Sequence, residues 1–179
     1  VDGLTGVTAT SREYDGTRLV EVLITTTGAI EPSQADVIPG DEVTVTAPGA
    51  GQTTGTMADK NVGTAKAVVV AGLTLGGADR DNYTIASTTG VTVDITPRLL
   101  TAIYSGQDKV YDGSTAASAT GTASRVIGGD NLLISGSGVF TGTGARNAGS
   151  GKTMDVQVAS LSGADAGNYS LLNPSGSTT

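Results

Sequence analysis

Two aspartates placed two residues apart are the clearest candidates for metal chemistry in this sequence. Asp79 and Asp81 have the spacing of the first calcium ligands in an EF-hand loop. The next ligand position is Tyr83, and the glycine that such a loop needs for its sharp turn is missing. Asp94 and Asp108, near the middle of the chain, could hold a calcium ion between two domains. Aspartates that cap turns explain the same residues, so we expect no cofactor and keep calcium as the alternative.

A second candidate is the segment from Gly149 to Thr153, whose sequence Gly-Ser-Gly-Lys-Thr is typical of the end of a phosphate loop. The full motif requires a glycine at position 146, which is Arg146. A phosphate loop also needs a following helix, whereas residues 154–158 alternate apolar and polar side chains as a strand does. We therefore expect no nucleotide site.

The composition excludes the most common catalytic chemistry. The chain has 179 residues with no Cys, His or Trp, and aromatic residues make up 3%. It therefore lacks the usual general base and the thiol nucleophile, and a cleft that stacks sugar rings is hard to build. We predict that the protein is not an enzyme and has no catalytic residues.

Charge and hydropathy limit the partners. The net charge is −7 with only 10 Lys and Arg residues, which disfavours binding to phosphate backbones. Uninterrupted apolar runs are too short to cross a bilayer. We expect neither nucleic-acid binding nor membrane insertion.

The sequence contains two copies of one unit. Tyr14-Asp15-Gly16 recurs 97 residues later as Tyr111-Asp112-Gly113, and Gly40-Asp41 recurs 89 residues later as Gly129-Asp130. The falling offset places insertions in the first copy, and duplicated domains tolerate insertions in their loops. We interpret these residues as structural parts of a repeat.

A second motif lies near the end of each copy, with a constant offset of 86 residues. Its residues are Asp79, Asn82 and Tyr83 in the first copy and Asp165, Gly167, Asn168 and Tyr169 in the second. The second copy reads D-x-G-x-Y, the pattern at the tyrosine corner of immunoglobulin-like sandwiches, where the hydroxyl binds nearby backbone. A turn followed by a strand explains the pattern equally well, so both interpretations stay open.

A strand and a proline mark the boundary between the copies. Val91, Val93 and Ile95 alternate with polar residues, as in a half-buried strand, and Pro97 follows. We place one domain at residues 1–97 and the other at 98–179, with a stiff joint because a flexible Gly/Ser spacer is missing. The second copy stops where its counterpart of this strand should begin. Its last strand is therefore expected to be truncated or supplied by a neighbouring repeat.

Alternation of apolar and polar residues predicts about six or seven short strands in each copy. The clearest strand signals cover residues 19–26, 42–46, 67–75, 131–140 and 154–158. They predict an all-β protein made of two tandem immunoglobulin-like β-sandwich repeats arranged end to end. The alternative fold is a pair of β-grasp-like units with a short helix near Ser33 to Val37.

Taken in order, the motifs of the second copy resemble a known family. Tyr111-Asp112-Gly113 is followed by Gly129-Asp130, by a segment from Asn147 to Lys152 and by a segment from Leu161 to Tyr169. This order resembles the YDG-type tandem repeats of filamentous-haemagglutinin-like bacterial surface adhesins and exoproteins. The first copy departs from the pattern, because Arg-Glu replaces Lys-Val before its tyrosine and Asp81 replaces a glycine.

The resemblance implies a structural module without catalytic residues. We expect stalk repeats of a large secreted adhesin at the bacterial cell surface, which extend a distal binding region and have neighbouring repeats of the same chain as partners. The alternative is that the repeats themselves bind exopolysaccharide or a host glycan, with or without calcium.

Overall fold

A computed structural model describes residues 7–24, 29–30, 37–46, 51–85, 90–172 and 175–178. The chain divides into two compact units, Val1–Thr96 and Pro97–Thr179, one residue before the boundary expected from Pro97. In the described ranges the regular structure is strands and two short 3-10 turns, Arg80–Asn82 and Ala166–Asn168. The prediction of an all-β protein is confirmed. In these ranges there is also no helix that is long and apolar enough to span a membrane.

Unit 1 contains nine described strands in two sheets. They are β1 (Val7–Ala9), β2 (Arg12–Glu13), β3 (Leu19–Ile24), β4 (Ala29–Ile30), β5 (Thr44–Thr46), β6 (Gly51–Met57), β7 (Gly63–Val70), β8 (Thr74–Gly76) and β9 (Thr92–Thr96). The larger sheet has the order β1-β3-β6-β7-β9-β2, and the smaller one has the order β4-β5-β8. Neighbours pair antiparallel, except that β2 and β9 run parallel.

Unit 2 contains seven described strands, again in two sheets. They are β10 (Arg98–Leu100), β11 (Ala102–Gly106), β12 (Ala116–Ala123), β13 (Leu133–Phe140), β14 (Met154–Ser162), β15 (Tyr169–Leu171) and β16 (Gly176–Thr178). The main sheet has the order β11-β12-β13-β14-β16, and β10 pairs in parallel with β15. Strands that follow one another along the chain are therefore neighbours in the main sheet, which differs from the Greek-key order of an immunoglobulin domain.

The antiparallel order β1-β3-β6-β7 of unit 1 corresponds to β11-β12-β13-β14 of unit 2, with one interruption. In unit 2, β13 and β14 form a long hairpin from Leu133↔Ser162 to Phe140↔Met154. In unit 1 the same hairpin is divided into the pairs β5–β8 and β6–β7. The single strand expected over residues 67–75 accordingly breaks at Ala71 to Leu73, where Gly72 has a φ of 77°.

Aliphatic side chains on alternate positions build each core. In β3, Val20, Val22 and Ile24 are buried while their neighbours are exposed, as the alternation predicts. Each buried valine or isoleucine contributes about 1.5 to 3 kcal/mol to burial free energy. In unit 2 a cluster of buried residues comprises Ala102, Tyr104, Ala119, Ile134, Met154 and Val156. The helix considered near Ser33 to Val37 falls almost entirely outside the described residues.

Candidate functional site: the Tyr–Asp pair and the Tyr-Asp-Gly loop

A tyrosine and an aspartate from distant parts of unit 2 form a partly buried contact. The hydroxyl of Tyr169 donates a hydrogen bond of 2.6 Å to Oδ2 of Asp130 and accepts one of 3.0 Å from the backbone N–H of Ile127. Tyr169 is buried, and these partners lie 39 and 42 residues upstream. The hydroxyl thus ties the start of β15 to the loop between β12 and β13.

Unit 1 repeats this contact in the same geometry. The hydroxyl of Tyr83 donates to Oδ2 of Asp41 at 2.7 Å and accepts from the N–H of Ile38 at 3.0 Å. The hydrogen bond with Asp41 raises the pKa of Tyr83 above its ordinary value, since the neutral phenol is the donor. We call the two contacts, Tyr83–Asp41 and Tyr169–Asp130, the Tyr–Asp pairs.

The aspartate that opens the second motif supports each pair. In unit 2, Oδ2 of Asp165 accepts a hydrogen bond of 2.8 Å from the N–H of Asn131, and the N–H of Asp165 donates to the carbonyl of Asn131 at 3.1 Å. The 3-10 turn then carries the chain from Asp165 to Tyr169. In unit 1, Asp79 makes the same two contacts with the backbone of Glu42.

A glycine permits this close approach of the two segments. Gly163 has a φ of 110°, and a Cβ added there would overlap the carbonyl oxygen of Asn131. Gly77 has a φ of 97°, and its added Cβ would overlap the carbonyl oxygen of Glu42. Both positions therefore require glycine for conformation and for space.

These contacts decide between the two interpretations of the D-x-G-x-Y motif. The hydroxyl does bind backbone, as at a tyrosine corner, but the amide lies 45 residues away in unit 1 and 42 residues away in unit 2. A tyrosine corner in which the hydroxyl binds nearby backbone is therefore the wrong interpretation of this motif.

Asn168 is the acceptor position of an Asn-x-Ser glycosylation pattern. Its side chain is only 5% exposed, which leaves no room for a glycan in the folded unit.

The Tyr-Asp-Gly residues form a tight loop in each unit. In unit 2, Oδ1 of Asp112 accepts hydrogen bonds from the N–H of Ser114 at 2.9 Å and from the Lys109 ammonium at 2.8 Å. These bonds lower the pKa of Asp112 to about 2. Lys109 also donates to the carbonyl of Ala116 at 2.8 Å, and Gly113 turns the chain with a φ of 74°.

Unit 1 builds the same loop with an arginine. Oδ1 of Asp15 accepts from the N–H and the hydroxyl of Thr17, both at 2.8 Å, and it pairs with the Arg12 guanidinium. Arg12 also donates to the carbonyls of Thr17 and Leu19 at 3.0 and 3.1 Å. Gly16 has a φ of 80°. Arginine in unit 1 and lysine in unit 2 therefore both bind the motif aspartate and carbonyls of the loop.

The tyrosines of the two loops differ in their surroundings. Tyr14 is fully buried, and its N–H donates to the carbonyl of Thr96 at 2.9 Å. The Lys60 ammonium lies 5.6 Å from the centroid of its ring. Tyr111 is 65% exposed beside a cavity of about 280 Å³ in unit 2. The tyrosine of the first Tyr-Asp-Gly loop is therefore buried, whereas the tyrosine of the second is exposed to solvent.

Each aspartate considered for calcium has different neighbours in the structure. Asp79 binds the amide of Glu42, and Asp81 pairs with Arg80 at 3.5 Å on the surface. Asp94 accepts a hydrogen bond of 2.8 Å from the N–H of Ala65, while Asp108 lines the cavity of unit 2. In the described ranges there is no cluster of three or more residues able to ligate a metal.

The glycine-rich segment from Gly149 to Thr153 is a loop at the rim of the same cavity. The Lys152 ammonium donates to the carbonyl of Gly144 at 2.8 Å. Strand β14 follows the segment directly, so the helix that a phosphate loop needs does not follow it. The Lys152 side chain therefore binds backbone of its own unit.

Sequence reasoning missed the partners of the tyrosines. Gly40-Asp41 and Gly129-Asp130 were recognised as a repeated motif, but their contact with the tyrosines was not predicted. The recurrence of both motifs, in the same order in each copy, was the signal that could have suggested a pair. Gly77 and Gly163 also recur in the two copies, and their recurrence could likewise have suggested this contact.

Two units with corresponding strands and the same Tyr–Asp pairs define this protein as a tandem pair of all-β domains. The model of the YDG domain family matches residues 3–90 and, a second time, residues 96–179. The chain therefore belongs to the YDG domain family and contains two copies of the domain. Comparisons with curated proteins and with solved structures give no match.

Proposed function

We propose that the two YDG domains are stalk repeats of a large secreted bacterial cell-surface adhesin, in which they extend a distal binding region from the cell. Neighbouring repeats of the same chain are then their principal partners. The cell-surface context comes from the family resemblance, and the structure contributes the role of the motif residues. A spacer needs domains that are stable and alike rather than a unique site.

The observation that carries the proposal is the way the motif side chains are used. The phenols of Tyr83 and Tyr169 and the carboxylates of Asp79 and Asp165 all bind groups of their own unit. Both units use them identically. Side chains that are committed to their own backbone stabilise a repeat and are poorly available to a substrate.

A replacement experiment tests the spacer role. In the adhesin that carries this chain, both domains are exchanged for unrelated β-domains of the same number and length. We expect adhesion to persist after the exchange and to fall when the domains are deleted without replacement. Loss of adhesion in the exchange variant, at equal surface display, would show that the YDG domains bind the target themselves.

One observation favours glycan binding as a second candidate. Tyr111 is exposed beside a cavity that Lys109, Arg146 and Lys152 also line, and a ring with nearby cations suits an acidic sugar. The buried Tyr14 offers unit 1 no equivalent surface. A glycan array with and without Ca²⁺ tests this candidate. Binding that disappears in Tyr111→Ala supports it, and an array without binding rejects it.

A further inference from the structure

The opening segment of unit 1, residues 7–14, is bound in turn by two strands. Its first part, β1, pairs antiparallel with β3, with Val7 opposite Ile24. Its second part, β2, pairs in parallel with β9, with Arg12 opposite Ile95. Because β9 is the last strand of unit 1, the segment ties the beginning of the unit to its end.

Further hydrogen bonds extend the contact between β2 and β9. The N–H of Tyr14 donates to the carbonyl of Thr96 at 2.9 Å, and the N–H of Asp94 donates to the hydroxyl of Ser11 at 3.1 Å. The Tyr14 side chain is fully buried. The contact therefore covers residues 11–14, although β2 itself has two residues.

Strand β9 is also held on its other edge. It pairs antiparallel with β7, with Gly63 opposite Ile95. The side chains of Val91, Val93 and Ile95 are 2% to 3% exposed. Leaving the sheet would therefore break hydrogen bonds on both edges of β9 and expose three aliphatic side chains to water.

The parallel arrangement of β2 and β9 determines how a pulling force acts on them. The chain enters unit 1 ahead of β2 and leaves it after Thr96, at the end of β9. Because the two strands run in the same direction, these two points lie at opposite ends of the pair. A force that draws the points apart acts along the strands and loads the hydrogen bonds between them together, since those bonds cross from strand to strand. If the two points lay at the same end, the hydrogen bonds would break one after another.

We propose that the β2–β9 pair is a mechanical clamp, which must be sheared before a pulling force along the chain can unfold unit 1. The clamp deepens the proposed stalk function, because a stalk that holds a bound target carries tension. The inference rests on that function only for the source of the tension. The replacement experiment tests the stalk, whereas pulling on the purified chain tests the clamp, so the two can fail separately.

The sequence contains no Cys, so two introduced cysteines can attach pulling handles at chosen points. One variant carries Thr10→Cys and Thr96→Cys, and the matched control carries Thr10→Cys and Thr92→Cys. All three threonines are exposed. Residue 10 lies just ahead of β2, so a handle at residue 96 pulls along the pair, whereas a handle at residue 92, at the start of β9, pulls across it. The first variant also loses the 3.5 Å hydrogen bond from the Thr96 hydroxyl to the Arg12 carbonyl, so a higher force in it cannot come from an added contact.

Single-molecule force spectroscopy of the full chain measures the unfolding force of unit 1 in both variants at one loading rate. We expect a force about twofold higher or more when the load acts along the pair, since forced unfolding depends on the rate at which the loaded state opens. Chemical denaturation should give both variants the same free energy of unfolding, because no direction of load enters that measurement. Equal forces in the two geometries would overturn the proposal, and so would a higher force for the load across the pair.

Discussion

The hydroxyl of Tyr169 lies 2.6 Å from Oδ2 of Asp130, although 39 residues separate the two along the chain. Tyr83 and Asp41 repeat the contact at 2.7 Å in unit 1. Each pair links the last motif of its unit to a loop in the middle of that unit. The short motifs that recur in the sequence are therefore two ends of one long-range connection.

The glycine before each supporting aspartate gives a first prediction. We expect Gly163→Ala to lower the free energy of unfolding of unit 2 by about 2 to 4 kcal/mol, because its Cβ would overlap the Asn131 carbonyl at a positive φ. Thermal unfolding followed by circular dichroism measures the change.

The matched control is Gly167→Ala, four residues away in the same motif. An added Cβ at Gly167 meets nothing within 4 Å, and its φ does not require glycine. We expect a change within about 0.5 kcal/mol of wild type, as for an ordinary surface substitution. Equal effects of the two substitutions would contradict the role assigned to Gly163.

The Asp112 carboxylate gives a prediction about pH. Its pKa in the folded unit is about 2, below the ordinary value of 3.8, because Lys109 and the Ser114 amide bind the ionised form. Its contribution to stability is therefore present above about pH 4 and is lost as the pH falls through the folded pKa. Carboxyl chemical shifts in an acid titration should give a midpoint near 2 for Asp112.

The variant Lys109→Gln tests whether the lysine causes the lowered pKa of Asp112. Removing the ammonium removes the largest contribution, so the pKa of Asp112 should rise towards 3.8. A midpoint that stays near 2 in this variant would show that the lysine does not hold the carboxylate.

Arg12 gives a prediction for unit 1. Arg12→Ala removes hydrogen bonds to three carbonyls and the ion pair with Asp15, and should cost about 1 to 2 kcal/mol in unfolding free energy. Arg12→Lys should recover most of this loss, since Lys109 binds the corresponding loop of unit 2. Chemical denaturation of the three proteins checks both values. A lysine variant as unstable as the alanine variant would show that the two loops are not equivalent.

Much of the fold could be predicted from local pattern. Strand β14 was predicted from the alternation in residues 154–158, and β3 from the apolar run that begins at Leu19. The division of the long hairpin in unit 1 could not be predicted, since it depends on pairing between distant strands. The strand order was likewise set by contacts that a single sequence does not display.

Part of the candidate site could likewise be predicted from the sequence, and part could not. Recurrence identified the Tyr-Asp-Gly residues as parts of a repeat, and the structure shows that the aspartate of each loop binds the amide two residues later. The partners of Tyr83 and Tyr169 lie 42 and 39 residues away, beyond the reach of any local rule. Tyr14 is buried and Tyr111 is exposed although both stand in the same tripeptide, so the local sequence does not determine this difference.

The coupling free energy between Tyr169 and Asp130 tests most directly whether the repeated motif serves the fold. A double-mutant cycle with Tyr169→Phe and Asp130→Asn, followed by thermal unfolding, measures this quantity. We expect each single variant to lose about 1 to 3 kcal/mol and the coupling to reach about 1 kcal/mol or more, because the contact is partly buried and charge-assisted. Wild-type stability in all three variants, together with loss of binding to a surface glycan, would contradict a structural role and make the pair a ligand site.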